Sequence, residues 1–205
     1  CLYDLDDGFY SKRGSAGRRG DFLTSPEVGP FFGSLIANWL DKTWLKLNKP
    51  ENFQVVEVGA GRGTLARAVI DAQPSCLENG TYTMVERSQK LRGEQPVSEK
   101  LISAADMPDA PLVGVVIANE LLDNLPFDLL EGDGECWKEV RIGLMNDQLV
   151  ETLMCESKES VGIPAFKGAR IPIQTEAHNW VQNVLDRIVL GSLLVIDYGS
   201  TTQEM

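Results

Sequence analysis

Residues 55–66, VVEVGAGRGTLA, constrain the fold more than any other stretch of this chain. An apolar run meets an acid, then three glycines at alternate positions, then a helix-forming sequence. A buried strand that turns on glycine and restarts as a helix is the opening half of a βαβ unit, the building block of parallel sheets. The sequence around it keeps that rhythm. Strands are predicted at FQVVEV (53–58), TYTMVE (81–86), KLISAAD (100–106), LVGVVIANE (112–120) and SLLVIDYG (192–199). Helices are predicted at GTLARAVIDAQ (63–73), in the short RSQKLRGEQ segment, and over TEAHNWVQNVLDRIVL (175–190), the last ended by Gly191. Apolar strands alternating with helices predict an α/β fold with a parallel sheet flanked by helices.

Two regions depart from the rhythm. Residues 1–45 read as a basic, glycine-rich loop followed by a helix with Ser25 as N-cap and Pro26 in first position. Phe31, Phe32, Leu35, Ile36, Trp39 and Leu40 are its expected core face. Residues 131–170 alternate in polarity around Asn146-Asp147 and predict a β-hairpin inserted into a single domain spanning 1–205.

A formal net charge of −11 argues against nucleic acid as a main ligand, because phosphate binding needs a basic face. No apolar run is long enough for a membrane helix, so no membrane partner is expected. Four scattered cysteines without a C-x-x-C pair, and the single histidine His178, give no zinc pattern and suggest a reducing compartment. The chain starts at Cys1 and carries no signal peptide, so a missing N-terminus is expected.

The glycine turn falls where an open parallel sheet binds ligands, at the carboxyl end of a strand. Its spacing is G-x-G-x-G and not the dinucleotide G-x-G-x-x-G. Glu57 lies two residues before the first glycine, where it would repel a pyrophosphate and attract an ammonium group. S-adenosylmethionine, with an α-ammonium, a sulfonium and no phosphate, fits that chemistry. NAD or FAD, and a purely structural turn, are the alternatives. Gly59, Ala60 and Gly61 would lie against the amino-acid end. Glu86, closing the second strand, could accept from both ribose hydroxyls, a device that NAD-binding folds share. Asp106 could accept from the adenine amine. Each of these acids could equally be a solvated strand end.

A second cluster, ANELLDNLPFD (118–128), closes the fourth strand on the same edge. Asn119, Glu120 and Asp123 are candidate catalytic residues: two carboxylates can clamp a guanidinium and orient one nitrogen. The same residues also suit an ordinary helix start, with Asn119 as N-cap. Asp197 and Tyr198 are weaker lining candidates, and His178 sits on an exposed-looking helix face.

With these residues in place the chain resembles the MidA-like S-adenosylmethionine-dependent methyltransferases, a family that includes a mitochondrial arginine methyltransferase assisting assembly of respiratory complex I. LYDLDDGFYS (2–11), GDFLTSPEVGPFFGSLIANWL (20–40), VVEVGAGRGTLA, ANELLDNLPFD and LLVIDYG look like the family's blocks in order. The resemblance implies a class I methyltransferase (Rossmann-like) fold whose last strands lie beyond this chain. It implies cofactor roles for Glu57, Gly59, Gly61 and Glu86, and adds Asp21 and Thr24, with Glu27 secondary, from a block lying over the pocket. It further implies a protein substrate, arginine by analogy, and residence in the cytoplasm of a bacterium or the mitochondrial matrix of a eukaryote; oligomerisation stays open. A non-catalytic assembly factor keeping the same fold is the alternative.

Overall fold

The computed structural model describes residues 30–109, 111–156 and 161–199. These fall into two units, one of the described residues within 30–123 and 183–197, the other of those within 124–182 and 198–199.

The first unit is built on a five-stranded sheet. Its strands are β1 (Gln54–Val58), β2 (Thr81–Val85), β3 (Leu101–Ala104), β4 (Leu112–Asn119) and β9 (Ile188–Ile196), in the order β3-β2-β1-β4-β9. Every pairing in it is parallel. The helices α1 (Pro30–Lys46) and α2 (Thr64–Asp71) pack together. One core joins Ile36, Ala37 and Leu40 of α1, Leu65, Ala66 and Val69 of α2, and Val55, Tyr82, Met84, Val115 and Ile117 of the strands. The short helix α3 (Gln89–Arg92) lies between β2 and β3.

The buried stripe of α1 is Gly33, Ile36, Ala37, Leu40 and Thr43, while Phe31 and Leu35 are exposed. Of the expected core face, Ile36 and Leu40 are buried and Phe32 and Trp39 pack against the core, while the exposed Phe31 and Leu35 give way to Gly33, Ala37 and Thr43, residues that a hydrophobic pattern does not see. A Cβ on Gly33 would overlap Ala68 of α2, so the two helices meet backbone to side chain at this point. The same helix carries Asp41, whose carboxylate accepts from the backbone N–H groups of Ser75 (3.1 Å) and Cys76 (2.8 Å) just past α2. From Gly33 to Asp41, α1 therefore runs alongside α2, away from the carboxyl ends of the strands. The N-cap expected at Ser25 lies outside the described residues.

The helix α4 (Thr175–Arg187) stops at Arg187, three residues earlier than the sequence predicts, and β9 begins at Ile188. Gly191 is accordingly a strand residue and not a helix cap. It pairs with Gly114 of β4, which in turn pairs with Gln54 of β1. A Cβ at Gly191 would collide with the Gly114 backbone, and one at Gly114 with that of Gln54, so three strands approach closely at one level. Arg187 holds the junction by donating to the Pro108 carbonyl (2.8 Å).

The second unit contains a four-stranded antiparallel sheet in the order β7-β6-β5-β8, comprising β5 (Asp128–Gly132), β6 (Trp137–Met145), β7 (Gln148–Glu156) and β8 (Arg170–Ile173). The hairpin expected around Asn146-Asp147 is β6–β7. Both turn residues have left-handed backbone, φ 50 and 59°, as a two-residue hairpin turn requires. The strands β5 and β8 extend it at its side, which a reading of the 131–170 hairpin alone does not contain. Trp137 is buried and donates its indole N–H to the Ile163 carbonyl (3.1 Å).

Candidate functional site

Strand order reverses between β1 and β4: β2 and β3 lie to one side, β9 to the other. In an open parallel sheet, ligands bind outside the carboxyl ends of the strands at such a switch point. Both sequence clusters sit there.

After β1 the chain turns through Gly59 (φ 75°), Gly61 (φ 53°) and Gly63 (φ 75°). Such backbone is cheap only for glycine. The N–H groups of Gly59 and Ala60 both donate to the Val85 carbonyl at 3.0 Å, which ties the turn to the end of β2. Gly63 caps α2 with no side-chain bond. Among the described residues, its chain neighbours apart, no atom lies within 4 Å of where a Cβ on Gly61 would stand, so the middle of the turn is open to them on that side.

Below the turn, Glu57 is only 5% exposed. Register places it between Met84 of β2 and Ile117 of β4, an acid walled by apolar side chains. The Tyr82 hydroxyl donates to its Oε2 at 2.8 Å. Burial pushes the Glu57 carboxyl up to about 7, opposed in part by that bond. The Tyr82 hydroxyl is raised well above its ordinary value by its own burial and then by the Glu57 charge. Tyr82 escapes sequence reasoning because it alternates among apolar residues like any core position; only the sheet order brings it to Glu57.

Glu86 follows β2. Its Oε2 accepts from the Gly61 N–H (3.0 Å) and its Oε1 from the Ser88 N–H (2.8 Å). The carboxylate is thus aimed by the glycine turn, and each oxygen keeps a second lone pair. Gln95 is a second side chain on Gly61 that the sequence does not single out: its amide donates to the Gly61 carbonyl at 2.8 Å. Asp106 is exposed on the bend after β3.

The turn after β4 is different. Asn119 ends the strand with its Oδ1 buried and, among the described residues, without a hydrogen-bond partner. A buried acceptor with no donor demands an explanation, and an absent ligand is one. Glu120 has φ 51°, a left-handed conformation that a glutamate adopts only at a cost. Its N–H donates to the Ile196 carbonyl at 2.7 Å, so β9 holds the conformation in place. Asp197, just past β9, accepts from the N–H groups of Leu122 (2.7 Å) and Asp123 (3.4 Å) and caps the short 3₁₀ turn Leu122–Asn124. Asp123 itself is exposed. Asp197 therefore shapes this loop through its backbone. His178 and Tyr198 are exposed, and Asp21, Thr24 and Glu27 lie outside the described residues. Among the described residues no group of three or more His, Cys, Asp or Glu could hold a metal ion.

The donor set fits a cationic ligand without phosphate: a buried carboxylate, an orphaned carbonyl oxygen, and a glycine turn open on one side. A parallel sheet of this order, with an acid and alternate glycines after β1 and an acidic loop after β4, is the class I methyltransferase arrangement. The chain belongs to the MidA-like family, and the family model described as "Putative S-adenosyl-L-methionine-dependent methyltransferase" matches residues 35–205. It is 34% identical to the mitochondrial protein arginine methyltransferase NDUFAF7 homolog of Drosophila melanogaster, over 66% of this chain and 37% of that protein. To NDUFAF7 of Bos taurus it is 29% identical over 94% of this chain and 52% of that protein. A Burkholderia thailandensis structure with bound S-adenosyl-homocysteine superposes with a TM-score of 0.87 at 26% identity, covering 99% of this chain and 57% of the other. The chain thus spans about half the length of the curated relatives it matches.

Proposed function

We propose that the full-length protein carrying this chain transfers the methyl group of S-adenosylmethionine to a protein side chain, an arginine in the closest chemical reading of the acidic β4 loop. The observation that carries the cofactor is Glu57, a carboxylate buried directly before a glycine turn. Beside a diphosphate it would be repulsive; beside an α-ammonium its desolvation is compensated. The bound S-adenosyl-homocysteine in the Burkholderia thailandensis relative supports the same reading.

When bound, S-adenosylmethionine supplies a methyl group already activated on a sulfonium. What the chain contributes is position and charge. Glu57 and Asn119 Oδ1 offer acceptors for the ligand's ammonium end, and Gly59, Ala60 and Gly61 let the backbone come close. The spare lone pairs of Glu86 suit a pair of vicinal ribose hydroxyls. Asp106, on the bend after β3, is the candidate for the adenine amine. Asp21 and Thr24 remain candidates on the family's terms.

At the β4 turn Glu120, supported by Asp123, orients the acceptor. A guanidinium nitrogen must present its lone pair in line with the donor methyl and lose a proton during or after attack. A carboxylate on the remaining nitrogens does both, by fork geometry and by general-base assistance. The relatives named as mitochondrial arginine methyltransferases support the protein substrate and, for a eukaryotic chain, the mitochondrial matrix.

The test is calorimetric titration of the full-length protein with S-adenosylmethionine and with NAD, then transfer of labelled methyl into lysate proteins. Micromolar binding of the first alone, and label on arginine, is the expected result. Binding of NAD alone overturns the cofactor, and label on another residue type overturns the acceptor.

A further inference from the structure

Gly61 is the middle residue of the glycine turn, and both of its backbone polar groups are held by side chains. Its N–H goes to Glu86 Oε2 and its carbonyl receives the Gln95 amide. Gln95 is 7% exposed, a polar side chain buried in the loop between α3 and β3. A carbonyl oxygen can only accept, so the Gly61 bond fixes the Gln95 nitrogen toward it and leaves Oε1 facing the other way. That oxygen receives the Ser103 hydroxyl of β3 at 2.5 Å. Ser103 lies three residues before Asp106, the residue proposed for the adenine end.

Neighbouring residues tighten the same contact. Arg62 pairs with Glu94 at 3.0 Å, and the Arg67 guanidinium donates to the Glu94 carbonyl at 2.6 Å. A Cβ on Gly63 would come within 3.0 Å of the Pro96 ring. The segment 94–96 therefore lies along the whole second half of the glycine turn.

We propose that Gln95 is a positioning residue for S-adenosylmethionine: it holds the 61–62 peptide by its carbonyl while Glu86 holds the 60–61 peptide by the Gly61 N–H, so that the two side chains together fix the middle of the turn against which the ligand lies. The inference rests on the cofactor reading above. Glycine at φ 53° leaves the 61–62 peptide free to flip. The Gln95 amide prevents this by occupying the carbonyl, and Ser103 prevents the amide itself from rotating. One buried amide thus couples the turn under the amino-acid end to the strand leading to the adenine end. A glutamate at position 95 keeps the shape but presents acceptors to the Gly61 carbonyl, and the flipped peptide, with the Arg62 N–H toward residue 95, becomes the better arrangement.

The experiment uses the full-length protein with Gln95→Glu, Gln95→Met and Ser103→Ala. Gln95→Glu raises KM for S-adenosylmethionine, and Kd for S-adenosyl-homocysteine, tenfold or more, as loss of a buried hydrogen bond predicts. Its kcat stays within twofold. Gln95→Met moves KM in the same direction without adding charge, and Ser103→Ala does so by about threefold, a change that vanishes in the Gln95→Met background. Unchanged KM in both Gln95 variants overturns the proposal, as does a fall in kcat alone. Amide exchange of Gly61 and Arg62 in the ligand-free protein is a separate arm. Faster exchange in Gln95→Met supports the clamp, and unchanged exchange overturns it. That arm is read even if the wild type binds no S-adenosyl-homocysteine, an outcome that sinks the cofactor reading by itself.

Discussion

The turns after β1 and β4 leave adjacent strands at one sheet edge, and both need left-handed backbone. The first supplies it with Gly59, Gly61 and Gly63; the second forces it on Glu120. The difference separates two demands. On the proposed function a ligand lies against the backbone of the first turn, where a side chain would be in the way, and glycine relieves strain and makes room at once. At Glu120 the strain is held by neighbours, with Ile196 on its N–H and Asp197 capping the loop behind it; on the proposed function it presents a carboxylate at a fixed point. The two turns also touch, since a Cβ on Gly59 would stand 3.0 Å from Leu121 Cδ1.

The largest effect that would break the comparison is on chemistry. Glu120→Gln keeps the shape and backbone of the β4 turn and removes the charge. Methyl transfer by the full-length protein should fall about 10²- to 10⁴-fold, the usual weight of a positioned acid–base group. S-adenosylmethionine affinity should stay within twofold. If activity survives, the strain at Glu120 serves the loop and not the acceptor. Steady-state kinetics alongside calorimetry separates the two.

The next effect belongs to the acid under the glycine turn. Folding raises the Glu57 carboxyl from 4.5 to about 7. Between those values the folded chain keeps a proton that the unfolded chain has lost, so stability declines as pH rises through that window and levels off above about 7. At about 1.4 kcal/mol for each pH unit, the decline is at most about 3 kcal/mol. Glu57→Gln should flatten it in denaturant melts from pH 4.5 to 8. A cationic ligand should reverse the sense in the wild type. Binding favours the ionised carboxylate, so S-adenosylmethionine affinity should increase as pH rises toward about 7 and plateau above it. Affinity independent of pH would separate Glu57 from the ammonium.

How much of this was legible beforehand depends on the kind of signal. Strand β4 was readable because burial on both faces writes a long apolar run, and β1 and β2 because short runs of β-forming residues end at a turn. The glycine turn and Glu57 were readable because spacing is local. The end of α4 was not: Ile188 to Leu190 continue an apolar helical pattern, and only pairing with β4 converts them to strand. The core face of α1 was legible at Phe32, Ile36, Trp39 and Leu40 but not at Gly33, Ala37 and Thr43, which carry no strong apolar signal. Tyr82 and Gln95 were invisible for a shared reason. Each matters through a partner 25 or 34 residues away, brought near by strand order and not by spacing. Asp197 reads as a lining residue, but it accepts from the backbone N–H groups of Leu122 and Asp123, a role that a side chain's identity does not announce.

Gly59→Ala tests the contact between the turns. At φ 75° an alanine costs about 1–2 kcal/mol, and its methyl meets Leu121 as well. For a chain of this size that is a Tm lower by about 2–8 °C. Adding Leu121→Ala should recover the part due to crowding and leave the part due to φ. Full recovery would mean that the turn is not strained by a side chain at all, and glycine there would be a matter of room alone.

The smallest effect is the most direct measure of what the second turn gives up. Glu120→Gly removes the strain of a left-handed glutamate, about 1–3 kcal/mol for such sites. Against this stand the extra freedom glycine gives the unfolded chain, about 0.5–1 kcal/mol, and the loss of the glutamate's own side-chain interactions. The net should be a gain of about 1 kcal/mol or less, a Tm higher by about 2–4 °C, in a protein that no longer transfers methyl groups. Stability and activity moving in opposite directions on one substitution is the signature of strain kept for function. If Glu120→Gly instead lowers Tm, the contacts of the glutamate outweigh its backbone cost. The β4 turn would then be built for stability just as the glycine turn is.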